Sequence, residues 1–513
     1  MAEREHHDRS GSRPQRRDDR AGGRPASGGG RGPRARSATA PSQRTRRAEP
    51  TRFAAYTLLR SVAEGGYANL ELPDILRRHH LAGRDAAFAT ELAFGTIRWQ
   101  GFYDAVIAQA AGRPTERIDP QVLDVLRLGA HQLMGMRVST HAAADQTVGL
   151  SKVVAGAGAG SFVNAVMRRM SERTLEQWQE AVVPEGGGVD ALAVRHSHPQ
   201  WVVSALRAAL LGHGRATAET IDTELEALLA ADNDPPRVHL VARPGLSDVD
   251  ELLSSAEARK STLSPHGVVL ESGDPGAVAA VRQGRASVQD EGSQLVALAL
   301  AAAEVGPDVP DRWLDLCAGP GGKAGVLGAM AVQHGADLTA VEVTPHRADL
   351  VRTTLAALTR HAESVGQRVE VRTADGRDVG GEEPAAYGRV LVDAPCTGLG
   401  ALRRRPEARW RRQPSDVAEL APLQRALLTS ALAAVAPGGV VAYATCSPHV
   451  AETRFVVSDV LKKHPDVEVV DARPLFTDAS GAPVDGLGDG PYVQLWPHVH
   501  GTDAMFFALL RRR

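Results

Sequence analysis

The chain has 513 residues, of which 43% are hydrophobic and 23% are charged, and its formal net charge is −2. This length exceeds that of one ordinary domain, so two or three domains are expected. Three cysteines in so long a chain exclude a disulfide framework and favour a reducing compartment, here the cytoplasm. No apolar run approaches the roughly 20 residues needed to span a bilayer, and no secretory signal is predicted at the N-terminus.

Residues 1–50 form an arginine- and glycine-rich stretch with 13 arginines against 6 acidic residues. No apolar periodicity accompanies this composition, so the stretch is predicted to be a disordered tail. Subtracting its net charge of +7 from the whole-chain value of −2 leaves −9 for the remainder. A basic face for a nucleic acid must therefore be local. Nonspecific attraction to RNA and simple solubilisation are equally open interpretations of the tail.

Residues 51–180 carry apolar side chains at helical spacing, which predicts a bundle of helices that each bury one face. Asp119 followed by Pro120 is typical of a helix start, because proline suits the first helical position. Residues 174–195 are polar and rich in glycine, which predicts a linker. Beyond it, the chain up to about residue 285 mixes helical patterns with short strand-like runs.

A glycine-rich loop follows the strand-like residues 312–314 and precedes a helical stretch at 324–333. Strand, glycine turn and helix together bring backbone close to a nucleoside cofactor at a helix N-terminus. The loop lacks the G-x-G-x-x-G pattern, and Pro320 has no N–H to offer a pyrophosphate. The loop residues predicted to contact a cofactor are Cys317, Ala318, Gly319, Pro320, Gly321, Gly322 and Lys323.

Three acidic residues, Glu342, Asp375 and Asp393, each end a later strand-like run. An acid about 20 residues past such a loop is suited to bind ribose hydroxyls, which favours Glu342 for that role, and Asp375 could meet an adenine amino group. Any one of them alone is usually an ordinary loop carboxylate. A glycine loop and acids at four successive strand ends instead predict one cofactor pocket. A dinucleotide is an open alternative, but S-adenosylmethionine fits better because it has no phosphate and carboxylates suit its sulfonium, ribose and amine.

Two cysteines also follow apolar strand-like runs: Cys396 in Asp-Ala-Pro-Cys and Cys446 in Thr-Cys-Ser, fifty positions later. Ligands bind at the carboxyl ends of parallel strands, so the two thiols are predicted to face one pocket. The alternative is that both are small buried core residues. A thiolate that adds to carbon 6 of cytosine activates carbon 5 for methylation, which is covalent catalysis. Lys323 is expected to help keep a thiolate charged near neutral pH.

The densest cluster of arginines lies at 403–412, directly after Cys396. A charge run is usually a solvated face, but this position favours contact with phosphate. Residues Arg403, Arg404 and Arg409 are therefore predicted to contact substrate RNA. No metal site is predicted: no C-x-x-C pair is present, and two histidines near residue 500 lack a third ligand.

These motifs resemble the RsmB/Nop/NSUN family of RNA cytosine-5 methyltransferases, and most closely its bacterial RsmB branch. The resemblance implies that Cys446 is the nucleophile, that Cys396 assists release of the methylated base, and that the glycine loop and the three acids bind S-adenosylmethionine. Gly319 stands where many relatives have alanine, and Glu342 replaces the commoner aspartate. The segments that carry the resemblance are 315–323, 393–398, 403–410, 444–447 and 288–291.

By this resemblance the protein is multidomain. An all-α, NusB-like RNA-binding bundle at 51–180 precedes a small α+β subdomain at 190–285 and a Rossmann-like α/β methyltransferase domain at 286–513. The implied reaction is 5-methylcytosine formation in 16S ribosomal RNA, with transfer RNA as the first alternative substrate and no membrane or metal partner. DNA methylation is disfavoured because those enzymes use a single Pro-Cys nucleophile. A noncatalytic RNA-binding or antitermination factor is the alternative of another class, against which the intact pair of cysteines argues.

Overall fold

A computed structural model describes residues 48–513 of the chain. The predicted disordered tail falls almost entirely on residues 1–47, outside the described residues. Pro50, which the prediction placed in the tail, already belongs to the first helix, and the Glu49 side chain caps that helix by accepting hydrogen bonds from two backbone N–H groups.

Helices alone make up the first part of the described chain. The Asp119 carboxylate accepts from the N–H groups of Gln121 and Val122, so the predicted helix start at Pro120 is confirmed. These elements are α1 (Pro50–Ala63), α2 (Ala68–Arg78), α3 (Gly83–Arg98), α4 (Gln100–Ala111), α5 (Pro120–Met134), α6 (Thr140–Val154), α7 (Ala159–Met170), α8 (Leu175–Val182), α9 (Gly188–Arg195), α10 (Gln200–Gly212) and α11 (Ile221–Ala231).

The prediction of a linker at 174–195 is wrong, because the helices α8 and α9 occupy most of these residues. Thr174 and Gln177 form a capping box that satisfies two backbone N–H groups at the start of α8. Trp178 is buried against the bundle, and its indole N–H donates to the Met170 carbonyl at 2.9 Å. One anchored tryptophan thus gives a polar segment a tertiary reason to be helical.

A small antiparallel sheet of four strands in the order β2-β3-β1-β4 follows the helices. It corresponds to the stretch in which the sequence mixes helical and strand-like patterns. Its elements are β1 (Val238–Ala242), α12 (Val249–Ser255), β2 (Ala258–Lys260), β3 (Gly267–Leu270), α13 (Ala279–Arg282) and β4 (Ala286–Val288).

The remainder is an eight-stranded sheet covered by helices on both faces, which confirms the predicted multidomain α/β class. Its elements are α14 (Glu291–Ala302), β5 (Arg312–Asp315), α15 (Gly322–Gln333), β6 (Asp337–Glu342), α16 (Pro345–Ser364), β7 (Val369–Thr373), α17 (Gly376–Glu382), β8 (Tyr387–Asp393), α18 (Ala408–Arg411), α19 (Pro414–Ala434), β9 (Val435–Thr445), α20 (Arg454–Leu461), β10 (Val467–Val470), β11 (Val493–Gln494), α21 (Pro497–His500) and β12 (Phe506–Arg512).

The sheet order is β10-β12-β9-β8-β5-β6-β7, with β11 paired to β12, and the five strands β5 to β9 are parallel. The chain runs outward from β5 to β7 and then crosses to the other side of β5 for β8 and β9. Ligands in open α/β sheets bind where the strand order reverses in this way. The carboxyl ends of β5 and β8 are therefore the expected centre of a site. No helix within residues 48–513 is both long and apolar enough to cross a membrane.

Candidate active site

The two predicted cysteines meet at the carboxyl edge of the sheet. Strands β8 and β9 are neighbours in parallel register, with Asp393 opposite Ala444, so the loops that follow them leave the sheet side by side. Cys396 and Cys446, each a few residues along its loop, are both half-buried free thiols whose Sγ atoms lie 3.4 Å apart. The structure thus brings together two residues that are fifty positions apart in the chain.

The environment drives the pKa values of the two thiols in opposite directions. The hydrogen bond from Cys396 lowers the pKa of Cys446, and the positive charges of Arg405 and Lys323 act in the same direction against burial and the charge of Asp393. The same hydrogen bond, followed by burial, raises the pKa of Cys396 well above its usual value. Cys446 is therefore the thiol suited to be a thiolate, with Cys396 as its protonated hydrogen-bond donor.

Lys323 links the glycine loop to the cysteine loops. Its Nζ donates to Asp393 Oδ2 at 2.9 Å. Burial alone would lower the pKa of this lysine, but the Asp393 carboxylate outweighs burial and raises it, so the side chain is a cation. The positive charge of Lys323 lowers the pKa of Cys446, which is the direction expected if Lys323 stabilises a thiolate.

The glycine loop packs tightly against β6. Gly321, the N-cap of α15, has φ of +109°, a conformation that a residue with a side chain rarely adopts. A Cβ atom added at Gly319 would overlap Oε2 of Glu342. Gly319 and Glu342 are therefore neighbours in space, and the absence of a side chain at Gly319 leaves room for the Glu342 carboxylate.

The acids at the ends of β5 and β6 are buried, and Asp315 has one oxygen without a partner in the described residues. The other oxygen of Asp315 accepts from the Cys317 N–H at 3.2 Å. Burial, followed by repulsion from Asp393, raises the pKa of Asp315 to about 7. Glu342 is buried as well; its Oε1 accepts from the Thr344 N–H at 2.9 Å, and its Oε2 forms an ion pair with Arg347 at 3.4 Å. A buried acceptor without a donor, between further carboxylates, suits a ligand that brings hydroxyl or amino groups and a positive charge.

Asp315 is absent from the residues predicted from sequence, although it directly precedes the loop. Its position as the last residue of β5 is the signal that could have found it. Asp375 is the N-cap of α17, accepts from the Arg377 N–H at 2.9 Å and forms an ion pair with the same arginine. The hydrogen bond from Arg377 lowers the pKa of Asp375. A contact between Asp375 and adenine stays a prediction.

The predicted RNA contact of Arg409 is wrong, because its guanidinium group is completely buried. It donates to the side-chain oxygen of Asn233 at 2.7 Å and to the backbone carbonyls of Ser197 and Asp232 at 3.2 and 3.0 Å. Next to it, the Trp410 indole N–H donates to the Ile97 carbonyl at 2.7 Å. This arginine segment attaches the catalytic part to the helices that precede it.

Arg403 and Arg404 are also engaged inside the protein, which disfavours their predicted phosphate contacts without testing them. Arg403 is buried and donates to the Gly501 carbonyl at 2.7 Å. Arg404 forms ion pairs with Asp290 and Asp503 at 2.5 and 3.1 Å. Arg405 is different: it is exposed, and its side chain has no hydrogen bond or ion pair to any residue in the range 48–513. It also lies close enough to Cys446 to lower the pKa of that thiol.

Comparisons with known proteins agree with this geometry. A family model described as 16S rRNA methyltransferase RsmB/F matches residues 302–511, and a NusB family model matches residues 49–172. The ribosomal RNA small subunit methyltransferase B of Pseudomonas syringae is 32% identical over 470 residues, which cover 90% of this chain and 96% of that protein. This chain belongs to the RsmB/F methyltransferase family.

Other relatives of the chain extend this assignment. A Mycobacterium tuberculosis protein named as a methyltransferase, with no substrate in its name, is 51% identical over 472 residues, which cover 91% of this chain and 98% of that protein. The crystal structure of PH0851 has a TM-score of 0.71 at 20% identity and covers 90% of this chain and 99% of that one, so the two share a fold. The resemblance inferred from the motifs is confirmed, and S-adenosylmethionine is the cofactor of the enzyme. The unpartnered oxygen of Asp315 and the acids around it fit that cofactor.

Proposed function

We propose that this RsmB/F methyltransferase forms 5-methylcytosine in 16S ribosomal RNA by covalent catalysis, with Cys446 as the nucleophile and Cys396 assisting release of the product. The observation that carries the proposal is the pair of thiols, 3.4 Å apart, with pKa values driven in opposite directions. The substrate is supported by the names of the matching family model and of the Pseudomonas relative.

The pair of thiols suits a reaction in two halves. In the first, the Cys446 thiolate adds to carbon 6 of cytosine, a C–S bond forms, and the electron pair of the ring double bond makes carbon 5 nucleophilic. Carbon 5 would then attack the electrophilic methyl group that bound S-adenosylmethionine supplies, and the S–CH3 bond breaks to leave S-adenosylhomocysteine. In the second half, a base removes the proton of carbon 5, the C5–C6 double bond re-forms, and Cys446 leaves as a thiolate. Cys396 assists by donating a hydrogen bond to that departing thiolate.

The cofactor would be held by the glycine loop and by the acids at the strand ends. Asp315 offers a buried carboxylate oxygen without an internal partner in the described chain, and the buried Glu342, which Arg347 holds at 3.4 Å, is the acid proposed for the ribose hydroxyls. Asp393, anchored by Lys323, adds negative charge near the cysteine loops. Backbone N–H groups at the start of α15 are further donors that a nucleoside ligand can use.

RNA would approach across the exposed Arg405. Its guanidinium group has no internal partner in the described chain and is free to bind a phosphate near the reacting base. The preceding helices, joined to the catalytic part through Arg409 and Trp410, extend the surface on which a folded RNA can rest. The NusB family match over residues 49–172 supports an RNA-binding role for those helices.

The deciding experiment offers three substrates to the purified protein with S-adenosylmethionine: 16S rRNA, transfer RNA and double-stranded DNA. Bisulfite sequencing then locates any 5-methylcytosine. We expect methylation of one or a few cytosines in 16S rRNA and none with Cys446→Ala. Product in transfer RNA alone would change the substrate, whereas methylation of another atom would overturn the proposed chemistry.

A further inference from the structure

A buried carboxylate lies behind the cysteine pair, outside the residues that the proposed reaction uses. Glu452 is fully buried in the segment between β9 and α20. Its Oε1 accepts from the Thr397 N–H at 2.8 Å and from Gln424 Nε2 at 3.2 Å. Its Oε2 accepts from the Thr397 hydroxyl at 2.5 Å and from the Ser447 hydroxyl at 2.7 Å. Four donors converge on one side chain, which is the pattern expected of an anionic acceptor.

The residues that Glu452 holds are the immediate neighbours of the two cysteines. Thr397 follows Cys396 and Ser447 follows Cys446, and their hydroxyl oxygens are themselves 3.2 Å apart. One carboxylate therefore binds the loop after β8 with one oxygen and joins both cysteine loops with the other. No other carboxylate in residues 48–513 has side-chain or backbone hydrogen bonds to both loops.

Further contacts fix the Cys396 loop from its other sides. Gln424 Nε2 also donates to the Pro395 carbonyl at 2.9 Å, and Arg412 Nε donates to the Thr397 carbonyl at 3.1 Å. The Tyr443 hydroxyl donates to the backbone carbonyl of Glu452 at 2.8 Å, which ties the glutamate to β9. With its surroundings restrained in this way, a change in the length of the Glu452 side chain moves one cysteine loop relative to the other.

We propose that Glu452 is a positioning residue that sets the separation and relative orientation of the Cys396 and Cys446 thiols. The inference rests on the proposed function, since it presumes that both thiols take part in one catalytic cycle. Such a cycle is sensitive to geometry, because a misplacement of about 1 Å in a reacting group can cost about 100-fold in rate. A carboxylate that only stabilised the fold would not need to join the two loops that carry the thiols.

The charge of Glu452, like its hydrogen bonds, supports the pairing of the two thiols. The pKa of Cys396 is raised mainly by its hydrogen bond to Cys446, then by burial and by the charge of Cys446. The Glu452 carboxylate raises it further. The carboxylate therefore favours the protonated form of Cys396, which is the form that donates to Cys446. Geometry and charge are separable by substitution, because aspartate keeps the charge but not the reach, and glutamine keeps the reach but not the charge.

The test uses full-length enzyme and two RNA substrates in single turnovers. RNA that carries 5-fluorocytidine at the target traps the Cys446 adduct, because carbon 5 then has no proton to lose. Ordinary RNA reports the complete cycle. For Glu452→Asp we expect both rates to fall by about 30-fold or more, and for Glu452→Gln by about 3- to 10-fold, with affinity for S-adenosylmethionine unchanged. Glu291→Gln is the matched control, a buried glutamate that bonds Ser261 and His239 away from the thiols. It should trap RNA at the wild-type rate.

Each outcome separates the positioning role from the proposed function. If wild-type enzyme traps no fluorinated RNA, the covalent mechanism fails and the role of Glu452 fails with it. If wild-type enzyme traps RNA and Glu452→Asp does so equally fast, only the positioning role is overturned. A glutamine variant slower than the aspartate variant would replace positioning by a role for charge.

A milder substitution covers the case in which Glu452→Asp does not fold. Ser447→Ala removes one donor to the carboxylate and should slow both rates by about 3- to 10-fold, while the melting temperature stays near that of the wild type. Wild-type rates in a folded Ser447→Ala protein would also overturn the positioning role.

Discussion

Two groups of charged residues flank the cysteine pair, and they differ in how far their hydrogen-bonding groups are satisfied within the protein. The acids at the ends of β5 and β6 include Asp315, which has a buried oxygen without a partner. The arginines from 403 onward include Arg409, whose two terminal nitrogens donate to five internal acceptors. Both groups are dense in charge, and a member of each, Glu342 and Arg409, was predicted to bind a ligand.

The difference teaches that charge density alone does not predict a ligand site, because the position of each charged group and its internal partners matter as well. A buried polar group without a partner is costly, so a folded protein retains one mainly where a ligand or water completes it. A buried charge with internal partners needs no ligand. Asp315 lies beside the glycine loop with one oxygen unpartnered, whereas both terminal nitrogens of Arg409 donate to internal acceptors and only its Nε has no partner in the described chain. Arg405 is exposed and has no internal partner among the described residues, which is why it is the arginine proposed to bind RNA.

The largest expected effect lies between the two groups, at the thiols. Cys446→Ala should lower methyl transfer by about 10⁴-fold or more, because it removes the covalent route, while binding of S-adenosylmethionine stays intact. Transfer of labelled methyl groups and calorimetry measure the two quantities. A variant with more than about a tenth of wild-type activity, equivalent to about 1.4 kcal/mol of barrier, would contradict the assignment.

Cys396→Ala is the companion variant, because it leaves the attacking thiol in place. It should form the methylated adduct with RNA but release it poorly, so that protein–RNA complexes survive a denaturing gel. The variant without either thiol should form none. Adducts in Cys446→Ala and none in Cys396→Ala would show that the roles are reversed.

The next largest effect is expected at the buried Arg409, whose proposed role is structural. Arg409→Ala should lower the free energy of unfolding by about 3–5 kcal/mol, because it removes the buried hydrogen bonds of Arg409 and the positive charge that most favours the ionised form of the buried Asp232. Denaturation followed by tryptophan fluorescence measures the loss. Any weakening of RNA binding should track the unfolded fraction. A stable variant with weak RNA binding would restore Arg409 to the RNA surface.

A smaller effect is expected where the glycine loop meets β6. Gly319→Ala places a methyl group on the Glu342 carboxylate and should weaken S-adenosylmethionine binding by about tenfold, the effect of about 1.4 kcal/mol. Adding Glu342→Asp shortens the acid and should recover most of the loss. Calorimetry measures the affinity for S-adenosylmethionine in both single variants and in the double variant, which together with the wild type form a double-mutant cycle. Additive losses would mean that the two positions are independent.

Arg405→Gln tests whether the exposed arginine of the cluster binds RNA. We expect weaker RNA binding and a salt dependence that is flatter by about one charge, because one phosphate contact is lost. Thermal stability should not change, since the side chain has no partner in the described structure. RNA affinity measured at several salt concentrations decides the matter. A slope equal to that of the wild type would make Arg405 a solvated residue.

The smallest effect is a shift in the pH dependence of the same variant. The positive charge of Arg405 helps to lower the pKa of Cys446, so its removal destabilises the thiolate and raises that pKa. The rate of adduct formation increases as pH rises through this pKa, and the increase should move to higher pH in Arg405→Gln. Arg405→Lys keeps the charge and should keep the wild-type profile. A shift to lower pH would contradict the sign.

Local sequence patterns determined the catalytic framework. Apolar runs predicted the parallel strands, and the residues that follow β5, β8 and β9 supplied the glycine loop and both cysteines. This succeeded because a strand and the loop after it are contiguous in the chain, and parallel strands deliver their carboxyl ends to one edge. The 3.4 Å approach of the thiols follows from neighbouring strands in register.

Only the tertiary structure decided which charged side chains have hydrogen-bond partners inside the protein. Ser197 and Asn233, which accept from Arg409, lie 212 and 176 positions away in the chain. The anchor that makes the predicted linker helical, Trp178, likewise depends on the bundle that it packs against. A sequence pattern shows which groups can form hydrogen bonds. Whether those groups are already satisfied depends on partners that only folding brings near.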